Sequence, residues 1–90
     1  MIVLQVSDVV AAMDMYLAGR LDAAELEAWA ERQEMAEDVE YVDAEREAVT
    51  EAVFLLANPS INGALTPDRI RQVRADLLEN GRDAEPGRGN

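Results

Sequence analysis

The chain has 90 residues, of which 49% are hydrophobic and 30% charged, and its net charge is −11. This length fits one domain with a single core, and the composition is that of a globular protein. The absence of Cys and His excludes disulfides, thiol chemistry, and imidazole as a metal ligand or proton carrier. Most routes to enzyme chemistry are thereby closed.

The first predicted helix begins near Val6 and ends near Ala18. Gly19 follows at the position of a left-handed C-terminal cap. Apolar residues recur at the i, i+3, i+4, i+7 spacing of an amphipathic helix. These residues are Val6, Val9, Val10, Met13, Tyr16 and Leu17.

The apolar residues Ile2 to Val6 are compatible with a strand or with an extension of the first helix. The extension is favoured, because a lone strand leaves its backbone groups unpaired. If the segment is a strand, its partner is residues 39–42 or a second subunit. The apolar opening has no preceding basic residues and is too short for a signal peptide or a membrane span, which predicts a cytoplasmic protein.

The second predicted helix runs from Ala23 to Glu37. Asp22 and Glu25 have the spacing of a capping box at its start. One face carries apolar residues, including Trp29, which we expect in the core, together with Gln33. The opposite face carries acids at i, i+4, i+7 and i+11. The apolar positions are Leu26, Trp29 and Ala36, and the acidic ones are Glu27, Glu31, Glu34 and Asp38.

The third predicted helix spans Ala44 to Ala57, with Asp43 as its N-cap. Residues 39–42 could form a short strand or a bend, and the bend is favoured. The helix is apolar nearly all round, which is typical of a helix at the centre of a bundle. Asn58-Pro59 ends it, because proline disfavours helical geometry in the preceding residue.

The fourth predicted helix starts at Thr66-Pro67-Asp68, a hydroxyl N-cap followed by proline at the first helical position. Asn80-Gly81 is predicted to end it, and residues 82–90 to form a disordered tail. Together the patterns predict an all-α fold, a small antiparallel four-helix bundle, as a single domain over residues 1–81.

The chain offers little for catalysis. Its few hydroxyl groups have no His or Lys to activate them, so we expect no enzyme activity. No motif for metal, phosphate or another cofactor is present, and none is expected. Arg69, Arg71 and Arg74 cluster on the fourth helix, but Asp68 and Asp76 leave that patch nearly neutral. With a net charge of −11, direct nucleic-acid binding is not expected either.

Nearly all of the net charge lies between Asp22 and Glu51. This stretch holds twelve acids against Arg32 and Arg46, a net charge of −10. Such a face can simply be solvated, but like charges at i, i+4 spacing cost a few tenths of a kcal/mol per pair. A basic partner would offset that cost and associate faster by electrostatic steering.

Two stretches resemble colicin-type immunity proteins, a family of small acidic four-helix proteins that bind and block basic nucleases. One stretch is Tyr16-Leu17-Ala18-Gly19-Arg20-Leu21 with Glu25-Leu26 and Trp29-Ala30. The other is Thr66-Pro67 with Ile70, Val73, Leu77 and Asn80-Gly81. The family's aspartate and paired tyrosines on a short third helix have no counterpart in residues 49–57. The resemblance therefore implies only the general mode, acidic helices against a cationic partner.

The leading hypothesis is a non-catalytic immunity or inhibitor protein that neutralises a basic bacterial toxin or nuclease, with carboxylates that can mimic nucleic-acid phosphates. The alternative is a homodimeric structural or adaptor module, closed by the apolar N-terminus and the broad face of the third helix. Tyr41 is either a residue at the core edge or an aromatic anchor of the interface. The predicted partner-binding residues are Glu27, Glu31, Glu34, Glu37, Asp38, Glu40, Tyr41 and Asp43.

Overall fold

The computed structural model describes residues 2–83, with side chains from residue 3 to residue 80. Five helices and one pair of short strands follow one another in the order β1–α1–α2–β2–α3–α4–α5. A 3-10 turn, Asp43–Glu45, precedes α3. The elements are β1 Ile2–Leu4, α1 Val6–Leu17, α2 Ala23–Met35, β2 Val39–Tyr41, α3 Arg46–Ala57, α4 Pro59–Asn62 and α5 Pro67–Asp83.

The predicted predominance of helix is confirmed, but a purely helical fold is wrong. β1 and β2 pair in parallel, with Val3 opposite Glu40 and Leu4 opposite Tyr41. Both the favoured helical extension at the N-terminus and the favoured bend at residues 39–42 are therefore incorrect. Two strands alone are marginally stable, but here Leu4 is buried in the core and Tyr41 packs against it. The antiparallel four-helix arrangement stays a prediction.

α3 is the central helix, as its apolar composition predicted. It packs against α1, α2 and α5. Its fully buried residues Val49 and Leu56 meet Met13 of α1 and Leu26 of α2 in one continuous core, to which α5 contributes Ile70. Burial of such side chains contributes about 1.5–3 kcal/mol each. This core fixes the direction in which the acidic outer faces of α2 and α3 point.

Most helix ends follow local signals, with three exceptions, one of which is the end of α2 at Met35 instead of Glu37. Gly19 has φ +82°, as expected of a left-handed cap. The Thr66 hydroxyl accepts a hydrogen bond from the Arg69 N–H at 3.2 Å. Asp43, in contrast, does not cap a helix but starts the 3-10 turn. α5 continues to Asp83 past the predicted end at Asn80-Gly81, because glycine inside a helix costs only about 1 kcal/mol.

The region after α3 is more helical than expected. The predicted turn after Asn58 forms the single helical turn α4. The Asn58 side-chain amide donates to the Phe54 carbonyl at 2.9 Å, which satisfies an acceptor that the end of α3 leaves open. Of the predicted disordered tail, residues 84–90 lie outside the part of the chain that the structure describes.

Candidate functional site

The start of α2 uses two acids of the stretch for its own structure. Asp22 Oδ1 accepts from the Glu25 N–H at 2.8 Å, and Glu25 Oε1 accepts from the Asp22 N–H at 2.9 Å. The predicted capping box is therefore confirmed. It directs the buried residues Leu26 and Ala30 towards the core, and the remaining acids of α2 lie away from that face.

The predicted column of four acids on one helix face is only partly correct. Glu31 and Glu34 are exposed on α2, and Glu27 is half-buried. Asp38 does not belong to the column, because α2 ends at Met35 and the backbone is extended at Ala36. The helix stops early although the sequence favours its continuation, since the following residues must reach the register of β2.

The connection from α2 into β2 carries the next three predicted acids. Glu37 and Asp38 precede the strand and are exposed, and Glu40 is exposed within it. Successive side chains of a strand point to opposite sides of the sheet. Glu40 therefore faces solvent, whereas its neighbours Val39 and Tyr41 are half-buried. The structure thus extends the acidic surface of α2 across the edge of the short sheet.

Tyr41 lies at the margin of the core, where its ring packs against buried residues. The guanidinium carbon of Arg46 lies 5.5 Å from the centre of that ring, within cation–π distance. This position agrees with the core-edge interpretation of Tyr41. Its use as an interface anchor stays a prediction.

The arginines within residues 3–80 leave the acidic stretch largely without ion pairs. Among the side chains of residues 3–80, the ion pair made by an acid of the stretch is Asp43 with Arg46, at 3.8 Å. The Asp43 side chain is 99% exposed, and an ion pair in that setting contributes about 0–1 kcal/mol. Of the seven acids among the eight predicted site residues, six are exposed and Glu27 is half-buried, so most of their negative charge faces solvent.

The arginines of α5 are used elsewhere. Arg74 spans to α1, where its Nε lies 2.7 Å from Asp14 Oδ1. Arg71 pairs with Asp68 at 2.9 Å, and Arg69 donates to the Asn62 carbonyl at 3.1 Å. Ion pairs thus neutralise Arg71 and Arg74, whereas Arg69 is held by a neutral carbonyl and keeps its charge. Asp76, which the sequence suggested as a neighbouring counter-charge, accepts instead from the amide of Gln72.

One acid of the stretch has a role that sequence reasoning missed. Glu45 Oε1 accepts a hydrogen bond from the Val6 N–H, at the first residue of α1, at 3.0 Å. The first N–H groups of a helix have no partner within it, and a carboxylate there is also favoured by the helix dipole. No sequence signal could reveal this contact, because 39 positions separate the two residues.

A groove between α1 and α2 was also not predicted. It has a volume of about 720 Å³ and is lined mainly by apolar side chains, with Arg32 among its charged residues. Val3 and Met15 are 44% and 42% exposed in its wall. Trp29, expected in the core, is half-buried and lines the same groove.

Other kinds of site find no support in the described part of the chain. Among the side chains of residues 3–80, no group of three or more Asp and Glu is placed to hold a metal ion. None of the helices described there is long and apolar enough to cross a membrane. Comparison with protein-family models, with curated proteins and with solved structures found no match.

Proposed function

We propose that this protein is a non-catalytic binder that neutralises a basic bacterial partner, such as a toxin or nuclease, through the acidic surface of α2 and β2. The observation that supports it is the exposure of most of these carboxylates together with the scarcity of ion pairs to them among residues 3–80. Within residues 3–80, the single ion pair of the acidic stretch joins Asp43 to Arg46. An inhibitor of this kind requires no catalytic group or cofactor, only a surface complementary in charge.

The energetics of α2 point in the same direction. Glu27 and Glu31 are four residues apart, and Glu31 and Glu34 are three apart, so each pair lies side by side on the helix surface. Each like-charge pair costs about 0.2–0.5 kcal/mol, and no arginine within residues 3–80 forms an ion pair with these acids. A cationic partner removes that repulsion and gains steering across the whole surface.

The test is a double charge reversal on α2, with a single charge reversal on α5 as the control. Glu31→Arg with Glu34→Arg should abolish capture of a basic protein from lysate of the native host, because two attractive contacts become repulsive. Glu79→Arg reverses an exposed acid on α5 and should leave capture unchanged. Circular dichroism checks that both variants fold. Equal capture by wild type and by the double variant would disprove the proposal.

Neutralisation needs a second measurement. The captured protein, expressed alone, should inhibit growth, and co-expression with the wild-type chain should restore growth. Co-expression with the double variant should not. A captured protein that is harmless alone would contradict the role as immunity protein or inhibitor.

The groove between α1 and α2 favours one other function, a homodimeric adaptor. Its exposed Val3 and Met15 present apolar area beside β1, whose outer edge no other described strand covers. Met15→Glu should dissociate such a dimer in light scattering, because it places a charge in the apolar contact. Met35→Glu, at an 80% exposed position outside the groove, is the control. A monomeric wild-type protein excludes this alternative.

A further inference from the structure

A cleft between α3 and α5 lies outside the predicted binding residues. Its volume is about 780 Å³, within the range of roughly 300–1,000 Å³ that is common for ligand clefts. Its walls are Glu47, Ala48, Thr50, Glu51 and Phe54 of α3, Ala44 of the preceding 3-10 turn, and Asn80 of α5. The cleft therefore combines an aromatic ring with two carboxylates.

Phe54 occupies a position that the core does not explain. Val53, directly before it, and Leu56, two positions after it, are buried, whereas Phe54 is 44% exposed. The helical period places it three residues after Glu51 and seven after Glu47, on the same outward stripe. A phenyl ring on that stripe contributes little to core burial and stays available to a partner.

The two carboxylates of the cleft are equally available. Glu47 and Glu51 are exposed, and neither is in an ion pair among residues 3–80. The nearest arginine in sequence, Arg46, faces Asp43 and the ring of Tyr41 instead. Among the side chains of residues 3–80, the charged ones that line the cleft are negative, which fits a cationic occupant.

We propose that this cleft binds an arginine side chain of the cationic partner. A guanidinium is planar, so it can stack on the Phe54 ring while its N–H groups donate to Glu47 and Glu51. A lysine ammonium can pair with the carboxylates, but it cannot stack in this way. The inference rests on the proposed function, since the arginine belongs to the basic partner proposed there. The cleft would give that partner a second contact surface, one that is selective for arginine.

The first test uses hexa-arginine and hexa-lysine peptides as probes, followed by amide chemical shifts in NMR. Hexa-arginine should shift the amides around Glu47, Glu51 and Phe54 and should bind more tightly than hexa-lysine. Phe54→Leu keeps an apolar side chain but removes the ring, and it should lower the affinity for hexa-arginine about two- to fivefold. Ile61→Ala, at a 73% exposed position outside the cleft, should change nothing.

The second test separates a site from attraction by net charge. Glu47→Gln with Glu51→Gln and Glu31→Gln with Glu34→Gln change the charge equally. Neutralising Glu47 and Glu51 should lower the affinity for hexa-arginine about two- to tenfold. Neutralising Glu31 and Glu34 should lower it less. Equal effects of the two pairs, equal affinity for both peptides, or an unchanged affinity of Phe54→Leu would each overturn the arginine site.

The captured partner distinguishes the two proposals. If it is lost with Glu31→Arg and Glu34→Arg but binds Phe54→Leu as well as wild type, the arginine site is wrong and the proposed function stands. If no basic protein is captured, the proposed function fails, whereas the peptide experiment still decides whether the cleft selects arginine. Weaker capture by Phe54→Leu than by Ile61→Ala supports both.

Discussion

Removing the Glu45 carboxylate should destabilise the fold, although Glu45 lies in a stretch whose other acids are largely solvated. The perturbation is Glu45→Ala, which deletes the acceptor of the Val6 N–H bond. Glu47→Ala is the matched control, because it removes the same charge from the beginning of α3 and Glu47 makes no bond to α1. The difference between the two variants measures the contact between Glu45 and α1.

The expected magnitude follows from the geometry. The bond is 3.0 Å long, partly buried and made to a charged acceptor. Hydrogen bonds to charged groups contribute about 1.5–3 kcal/mol, and loss of a helix cap costs about 0.5–2 kcal/mol. Because water can reach the freed N–H at this half-buried position, Glu45→Ala should cost about 1–2 kcal/mol more than Glu47→Ala. Glu45→Gln keeps a neutral acceptor and should lose about half as much.

Urea unfolding followed by circular dichroism measures these differences, and thermal unfolding gives a second estimate. For a domain of this size, each kcal/mol shifts Tm by roughly 4–8 °C. Val6→Pro provides the strictest control, because it removes the N–H donor at the first helical position, where proline is tolerated. In that background, Glu45→Ala should cost no more than Glu47→Ala.

Two results would refute the reasoning. If Glu45→Ala and Glu47→Ala are equally stable, the bond contributes nothing beyond the general charge effect. If their difference persists in the Val6→Pro background, it arises from a contact other than the one to the Val6 N–H.

Three further substitutions test the fold by the same unfolding assays. Gly63→Ala should lower the free energy of unfolding by about 1–3 kcal/mol, because the φ of +108° and ψ of 146° at Gly63 are open to glycine alone. This loss should be larger than the loss caused by Gly19→Ala, and equal losses would contradict the reasoning. Leu56→Ala, at a fully buried position of α3, should cost about 2–5 kcal/mol, and a loss below 1 kcal/mol would mean that the core is loosely packed. Tyr16→Phe removes the hydroxyl that donates to the Leu65 carbonyl at 3.2 Å and should cost about 0.5–1.5 kcal/mol in urea; unchanged stability would show that the bond is not made in solution.

The features that the sequence predicted well depend on residues close together in the chain. The capping box of Asp22 and Glu25 joins residues three apart, and Gly19 and Thr66 act on their own helix ends. Their chemistry determines local backbone geometry whatever surrounds them. The largely apolar composition of α3 likewise predicted its central position.

The features that the sequence missed join distant segments. The pairing of β1 with β2 ends α2 at Met35, although Ala36 and Glu37 favour helix, because tertiary contacts override weak propensities. The pairing of Arg74 with Asp14 spans 60 positions. For the site, the charge of the acidic stretch was predictable from composition, but not its division into structural acids such as Glu45 and acids that face solvent.

The parallel strand pair also bears on the order in which the chain folds. β1 is synthesised before α1 and α2 but has no partner until Val39–Tyr41 follows. The loop between the strands must close first, and its entropic cost grows as about (3/2)RT ln n with loop length. Contacts between residues so far apart in sequence form late in folding. A smaller apolar side chain in place of Leu4 of β1 should therefore accelerate unfolding and leave the folding rate nearly unchanged. The pairing of β1 is thus expected to complete the folded structure and to slow its unfolding.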